Sequence, residues 1–368
     1  MKSEVADIGG IGNVGDEKEL ALCPAPVSKV VGDAYRSRQF QGIPGIEIAK
    51  NGRLWAVFYS GGVWEGPENY IALVTSGDGG QTWSDLKYVI DPPGLVRAFD
   101  PCLWHDPSGR LWLFWSQSYT FYDGRCGVFT STCDNSNDAD PVWSEPVRIA
   151  DGIMMNKPTV LSNGNWLLPI AVWKVKLSPL NDLPEQRYSN VFQSTDQGRT
   201  FQLIGRADVA NRQFDEHMIV ERKDGSLWML VRAAYGIGES ISHDGGVTWS
   251  PGWQTPLGGP GSRFFIRRLQ SGRLLLVNHF MFKARSHLTA MLSEDDGVTW
   301  GGYLLLDERE QISYPDGVQA DDGRIYIIYD RERKDSKEIL LAVITEEDIL
   351  QGHISSDQSM LKVIVNKA

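Results

Sequence analysis

The chain has 368 residues, 42% of them hydrophobic and 23% charged, enough to bury a large core. Its formal net charge of −11 argues against nucleic acid or an anionic membrane surface as the main partner. No apolar run is long enough to span a bilayer, and the opening MKSEVADIGGIGNVGDEKEL lacks the apolar segment of a signal peptide. A cytoplasmic protein is expected, or a secreted or periplasmic one if a leader has been removed.

Residues 1–20 read as a flexible polar tail and 21–368 as one domain. Within it, six times, a hydrophobic stretch runs into a Gly-centred turn and returns as a second hydrophobic stretch. The first of these is IEIAKNGRLWAVFY, the second CLWHDPSGRLWLFW, the fourth MIVERKDGSLWMLV and the last VQADDGRIYIIY. The turn glycines Gly52, Gly109, Gly164, Gly225, Gly272 and Gly323 lie 57, 55, 61, 47 and 51 residues apart. Runs rich in Trp and Tyr, broken by glycine turns, are hairpin chemistry. A repeat near fifty residues that carries a hairpin predicts propeller blades. The expected fold is all-β, a six-bladed β-propeller with four-stranded antiparallel blades. Near the C-terminus, the TEED pattern from Thr345 to Asp348 predicts a capped helical turn.

A second repeat overlays the first. SGDGGQTW (76–83), STDQGRTF (194–201), SHDGGVTW (242–249) and SEDDGVTW (293–300) share S-x-D-x-G-x-T-[WF]. The interval of 118 residues between the first two leaves room for a degenerate copy near Thr130–Trp143. Each copy is expected to join the third and fourth strands of a blade. In such a turn the carboxylate accepts backbone N–H groups and glycine supplies a positive φ. Asp78, Asp196, Asp244 and Asp295 are therefore turn-formers. These motifs resemble the Asp-boxes, or BNR repeats, of the sialidase superfamily. Such boxes also occur in lectin-like propellers, so the resemblance implies a fold and leaves the chemistry to the site.

The four cysteines form no CxxC pair and the six histidines show no ligand spacing, so no metal and no organic cofactor is expected. Cys126 and Cys133 are near enough in sequence for a disulfide.

A propeller brings equivalent positions of all blades to one ring. Nine residues before each turn glycine stand Ile43, Asp100, Glu216, Arg263 and Tyr314, and the third blade offers Lys157 seven before. Seven residues after each glycine the returning strand carries Tyr59, Ser116, Ala171, Arg232, His279 and Asp330. So many polar groups at the start of core strands predict either a site at one mouth of the channel or an ion-pair network that plugs its axis. Trp64, Tyr59, Phe121, Tyr122 and Tyr235 are candidates to stack on a sugar ring.

The sialidase resemblance implies roles. A Glu sixteen residues before an Arg across a hairpin matches Glu216 and Arg232 in FDEHMIVERKDGSLWMLVR. An Arg shortly before an Asp-box matches Arg285, and the Tyr that opens the last inner strand matches Tyr314 in SYPDGVQADDGRIYIIYD. A phenol suits an anomeric carbon that bears a carboxylate, because it is neutral until activated. With an ordinary pKa near ~10 it needs a base, the role implied for Glu216. Arg232, Arg285 and Arg263 would clamp the substrate carboxylate, with Asp100, Lys157 and His279 as further substrate-binding candidates. The general acid is expected on the GGVWEGPENY loop, with Glu65 the nearest match, Glu68 the runner-up and Asp100 an alternative. In the family the first inner strand opens with Arg-Ile-Pro; here Gly42-Ile43-Pro44 replaces it, so one arm of the arginine triad is missing. Arg263, Lys157 and Arg97 are the candidates to replace it.

The expectation is an exo-acting glycoside hydrolase that releases a terminal acidic sugar, sialic acid or a related keto-sugar acid or uronate. A polysaccharide lyase and a non-catalytic carbohydrate-binding propeller are the alternatives. The partner in each case is an acidic glycan.

Overall fold

The computed structural model describes residues 20–120, 126–173 and 183–368; most of the expected tail (1–19), Phe121 and Tyr122 lie outside them. Six antiparallel sheets follow one another along the chain. The first contains Gln41–Ile48, Leu54–Ser60, Tyr70–Ser76 and Tyr88–Ile90, with Ser28–Lys29 paired to its outer edge as a fifth strand. The other five have four strands each and open on Val96–His105, Thr159–Val160, Met218–Glu221, Phe265–Arg268 and Ile312–Gln319. This is the six-bladed propeller expected from the repeats. Its one addition is the N-terminal strand, which covers an edge that would otherwise present unpaired backbone groups.

Blades stack face against face, so their middle strands are buried on both sides. That is why Glu338–Ile344 (EILLAVI) reads as a continuous apolar run rather than an alternating one. The opening strand of each blade is innermost and packs against its counterparts around the channel. The ring closes between the first and last blades through side chains and backbone together. The Gln41 backbone N–H donates to the Arg333 carbonyl at 3.1 Å, and that of Ile46 to Asp316 Oδ2 at 2.9 Å.

All four Asp-boxes join third to fourth strands. In the third of them Asp244 Oδ1 accepts the Thr248 N–H at 2.9 Å and the Ser242 hydroxyl at 2.8 Å. Bonds of this kind, first from the Thr248 hydroxyl, hold the Asp244 carboxyl down at about 2. The degenerate copy lies where the spacing left room. There Asn135 takes the Asp position and accepts from Val142 N–H at 3.2 Å and from the Cys133 thiol at 3.3 Å. Cys126 and Cys133 are not bridged. The last blade has no box and instead turns through the helix Glu346–Gln351, capped reciprocally by Thr345 and Asp348.

Candidate active site

The inner strands do not enter the channel as regular strands. Ile43, Asp100, Glu216 and Tyr314 occupy the same place in four blades, and all have left-handed backbones, with φ of 56°, 50°, 44° and 56°. The ladder is interrupted at three of them, between Gly42 and Gly45, Phe99 and Cys102, and Ser313 and Asp316. A proline follows Ile43, Asp100 and Tyr314 and lacks the N–H that a regular ladder would need. Such bulges re-aim a side chain, and a positive φ in a non-glycine residue is strain the surrounding sheet must hold. The result is that Asp100, Glu216 and Tyr314 line one cavity of about 150 Å³.

Inside it the Tyr314 hydroxyl donates to Glu216 Oε1 at 2.7 Å. Arg232 Nη1 donates to the same carboxylate oxygen at 2.5 Å and to the Tyr314 hydroxyl at 2.8 Å. Burial pushes the Tyr314 phenol up, the Glu216 charge adds to this, and Arg232, Arg285 and Arg333 pull it back. The phenol is thus neutral at rest with a carboxylate in hydrogen-bond contact, the arrangement an activated nucleophile requires. Arg285 and Arg333 hold their guanidinium carbons 5.4 and 4.2 Å from the Tyr314 ring centroid. Asp100 is raised to about 8, chiefly by burial, with Arg97 opposing and Glu65 and Glu216 adding. At neutral pH it is a hydrogen-bond donor.

The BNR repeat-like domain family matches residues 52–327. The chain belongs to that family. No curated protein matches it. Among solved structures it is similar to a Hadza microbial sialidase at 21% identity and TM-score 0.64, over 79% of this chain and 63% of that one. The intramolecular trans-sialidase from Ruminococcus gnavus is 14% identical at TM-score 0.65, with 89% and 99% of the two chains covered. A leech intramolecular trans-sialidase matches at 14% identity and TM-score 0.66, over 90% and 71%. These likenesses place the chain among the sialidase-fold BNR propellers.

In this BNR propeller the predicted ring divides into two layers. Glu216, Tyr314, Arg232, Arg285, Asp100 and Glu65 line the cavity, as do Tyr59 and Arg97. Lys157 and Arg263 lie in a buried network beside it. Lys157 Nζ donates to the Ile46 and Leu103 carbonyls, both at 2.6 Å, and lies 3.1 Å from Asp316 Oδ2. Arg263 donates to Asn156 Oδ1 at 2.7 Å, the Met155 carbonyl at 2.9 Å and the Pro44 carbonyl at 3.1 Å. Their charges neutralise Asp316 and Glu47, whose carboxyl stays at about 2 because Lys157 and His105 outweigh the upward push of burial. The axis is therefore plugged, and the site sits above the plug.

His279 is wholly buried, with Nδ1 2.9 Å from the Ser286 carbonyl, and burial lowers it to about 4. Glu68 and Tyr235 line neither this cavity nor its neighbour, while Trp64 is half-exposed and lines the neighbour. A larger cavity of about 640 Å³ opens among the hairpin turns around Gly52 and Gly109, but no tyrosine–carboxylate pair lines it.

The residue that sequence reasoning missed is Arg333. Its Nε donates to Asp330 Oδ2 at 2.8 Å, its Nη2 to Ser313 Oγ at 3.1 Å and its Nη1 to Glu65 Oε1 at 3.2 Å. A Cβ added to Gly42 would fall 2.7 Å from Arg333 Cδ and 2.9 Å from Cγ. Gly42 thus leaves room for an arginine that arrives from the opposite end of the chain. The only sequence signal was the charged DRERKD stretch that begins at Asp330, which becomes informative once ring closure sets it beside Gly42.

Proposed function

We propose that the protein is an exo-acting retaining glycoside hydrolase that releases a terminal acidic sugar, a sialic acid or a related keto-sugar acid or uronate. The observation that carries this reading is the 2.7 Å hydrogen bond from the Tyr314 hydroxyl to Glu216, inside a pocket ringed by Arg232, Arg285 and Arg333. Tyr314 Oη attacks the anomeric carbon as its proton passes to Glu216, and the glycosidic bond breaks as the leaving oxygen takes a proton from Glu65. Water then gives a proton to the Glu65 carboxylate and attacks the same carbon from the vacated face, the tyrosyl–sugar bond breaks, and the phenolate recovers its proton from Glu216. The arginines hold the carboxylate and stabilise the charge that develops next to it. Asp100, which lines the same cavity and is raised to about 8 by burial, donates to a sugar oxygen in this reading.

A panel of fluorogenic acidic glycosides tests this reading. Wild type is expected to turn over at least one sialoside or uronide, and Tyr314→Phe none. An unsaturated product that absorbs in the ultraviolet would instead show a lyase. Binding to all with turnover of none would show a carbohydrate-binding propeller.

A further inference from the structure

The site cavity of about 150 Å³ is half the lower limit of about 300 Å³ for small-molecule pockets. A second cavity of about 500 Å³ adjoins it, lined by Phe40, Trp64, Ser313 and Lys334. Glu65, Arg285 and Arg333 line both. Two of these shared residues, Glu65 and Arg333, are ion-paired at 3.2 Å and form part of the partition between the two spaces.

The two members of that pair are held very differently. Arg333 is fixed on two sides by Asp330 and Ser313. Asp330 is itself fully buried and tied down by the Ser313 hydroxyl at 2.7 Å and the Ile43 N–H at 2.8 Å. Burial works against the Arg333 charge, yet Asp330, the Tyr314 phenol and Glu65 together keep it firmly protonated. Glu65 stands on the loop between Leu54–Ser60 and Tyr70–Ser76, and its side chain is 30% exposed. One side is a preset guanidinium; the other is a carboxylate on a loop.

Resting on the glycosidase reading, we propose that Glu65 holds on Arg333 the seat of the substrate's own carboxylate, and that an acidic sugar enters by displacing it. Arg333 is then the specificity-determining residue, the third arm that Gly42 no longer supplies. Displacement joins the two cavities into a space that can take a whole sugar ring and its branches. Sugars without the carboxylate do not open the partition.

The test is calorimetric binding of an inert probe, 2-deoxy-2,3-dehydro-N-acetylneuraminic acid, and of its methyl ester. Arg333→Gly is expected to weaken the acid by about a hundredfold and the ester by less than threefold, the signature of a direct charge contact in a double cycle. Gly42→Arg in the Arg333→Gly background is expected to recover at least about tenfold, because the guanidinium then comes from the first blade into vacated space. Glu65→Gln, which leaves the arginine seat uncontested, is expected to tighten the acid about fivefold. Equal losses for acid and ester in Arg333→Gly, together with no gain in Glu65→Gln, would overturn the assignment while leaving the glycosidase reading intact. Failure of wild type to bind either this acid or glucuronic acid would remove the glycosidase reading and this inference with it.

Discussion

The Asp-box turns and the channel mouth are both crowded with carboxylates, yet they use them in opposite ways. Asp78, Asp196, Asp244 and Asp295 sit in nearly identical sequence and accept several short bonds each. Their carboxyls are held down at about 2 although they are barely buried. At the mouth no two blades carry the same residue, and Asp100, buried beside Glu65 and Glu216, is raised to about 8. Repetition marks what every blade needs in order to turn. Departure from repetition at equivalent positions marks what one blade alone contributes, to the cavity at Asp100, Glu216 and Tyr314 and to the plug at Lys157 and Arg263.

The sharpest break of that comparison is catalytic. Tyr314→Phe is expected to lower kcat/KM by about a thousandfold or more on any substrate the panel identifies, with an unchanged melting temperature. Asp244→Asn is expected to leave kcat/KM within about twofold. Next comes the plug: Lys157→Met strands the buried Asp316 and Glu47 charges and is expected to destabilise the fold by roughly 3–5 kcal/mol, read by denaturant titration. The pH dependences then run in opposite directions. A box carboxylate with a depressed folded pKa contributes stability that is present above its unfolded value near ~4 and lost as pH falls towards 2. The melting-temperature deficit of Asp244→Asn should therefore shrink over that window. Asp100 has a raised folded pKa, so the unfolded chain ionises first and wild type loses stability between about pH 4 and 8. Asp100→Asn should gain a few degrees on wild type as pH rises from 5 to 8. The smallest expected effect is at Trp64→Ala, where a half-exposed ring on the second cavity should raise KM severalfold and leave kcat unchanged.

The fold was legible because hairpin period and box chemistry are local properties. A glycine turn and an Asp four residues before a Thr report on their own neighbourhoods. Part of the site followed by geometry alone, since equivalent positions of a ring must converge; hence Glu216, Tyr314 and Arg232 could be read together from the chain. Two things could not. Lys157 and Arg263 share the ring position, but their long side chains reach carbonyls and carboxylates of neighbouring blades rather than the cavity. Arg333 belongs to a turn, outside the repeat, and its nearness to Gly42 depends on which blades meet when the ring closes.

The most direct measurement is mass spectrometry of the protein incubated with a fluorinated acidic glycosyl donor, whose first step is fast and whose second is slow. The account predicts one added glycosyl group, on the peptide that carries Tyr314, and none on Tyr314→Phe. Turnover of the donor with a label on another side chain, or undiminished turnover by Tyr314→Phe, would contradict it.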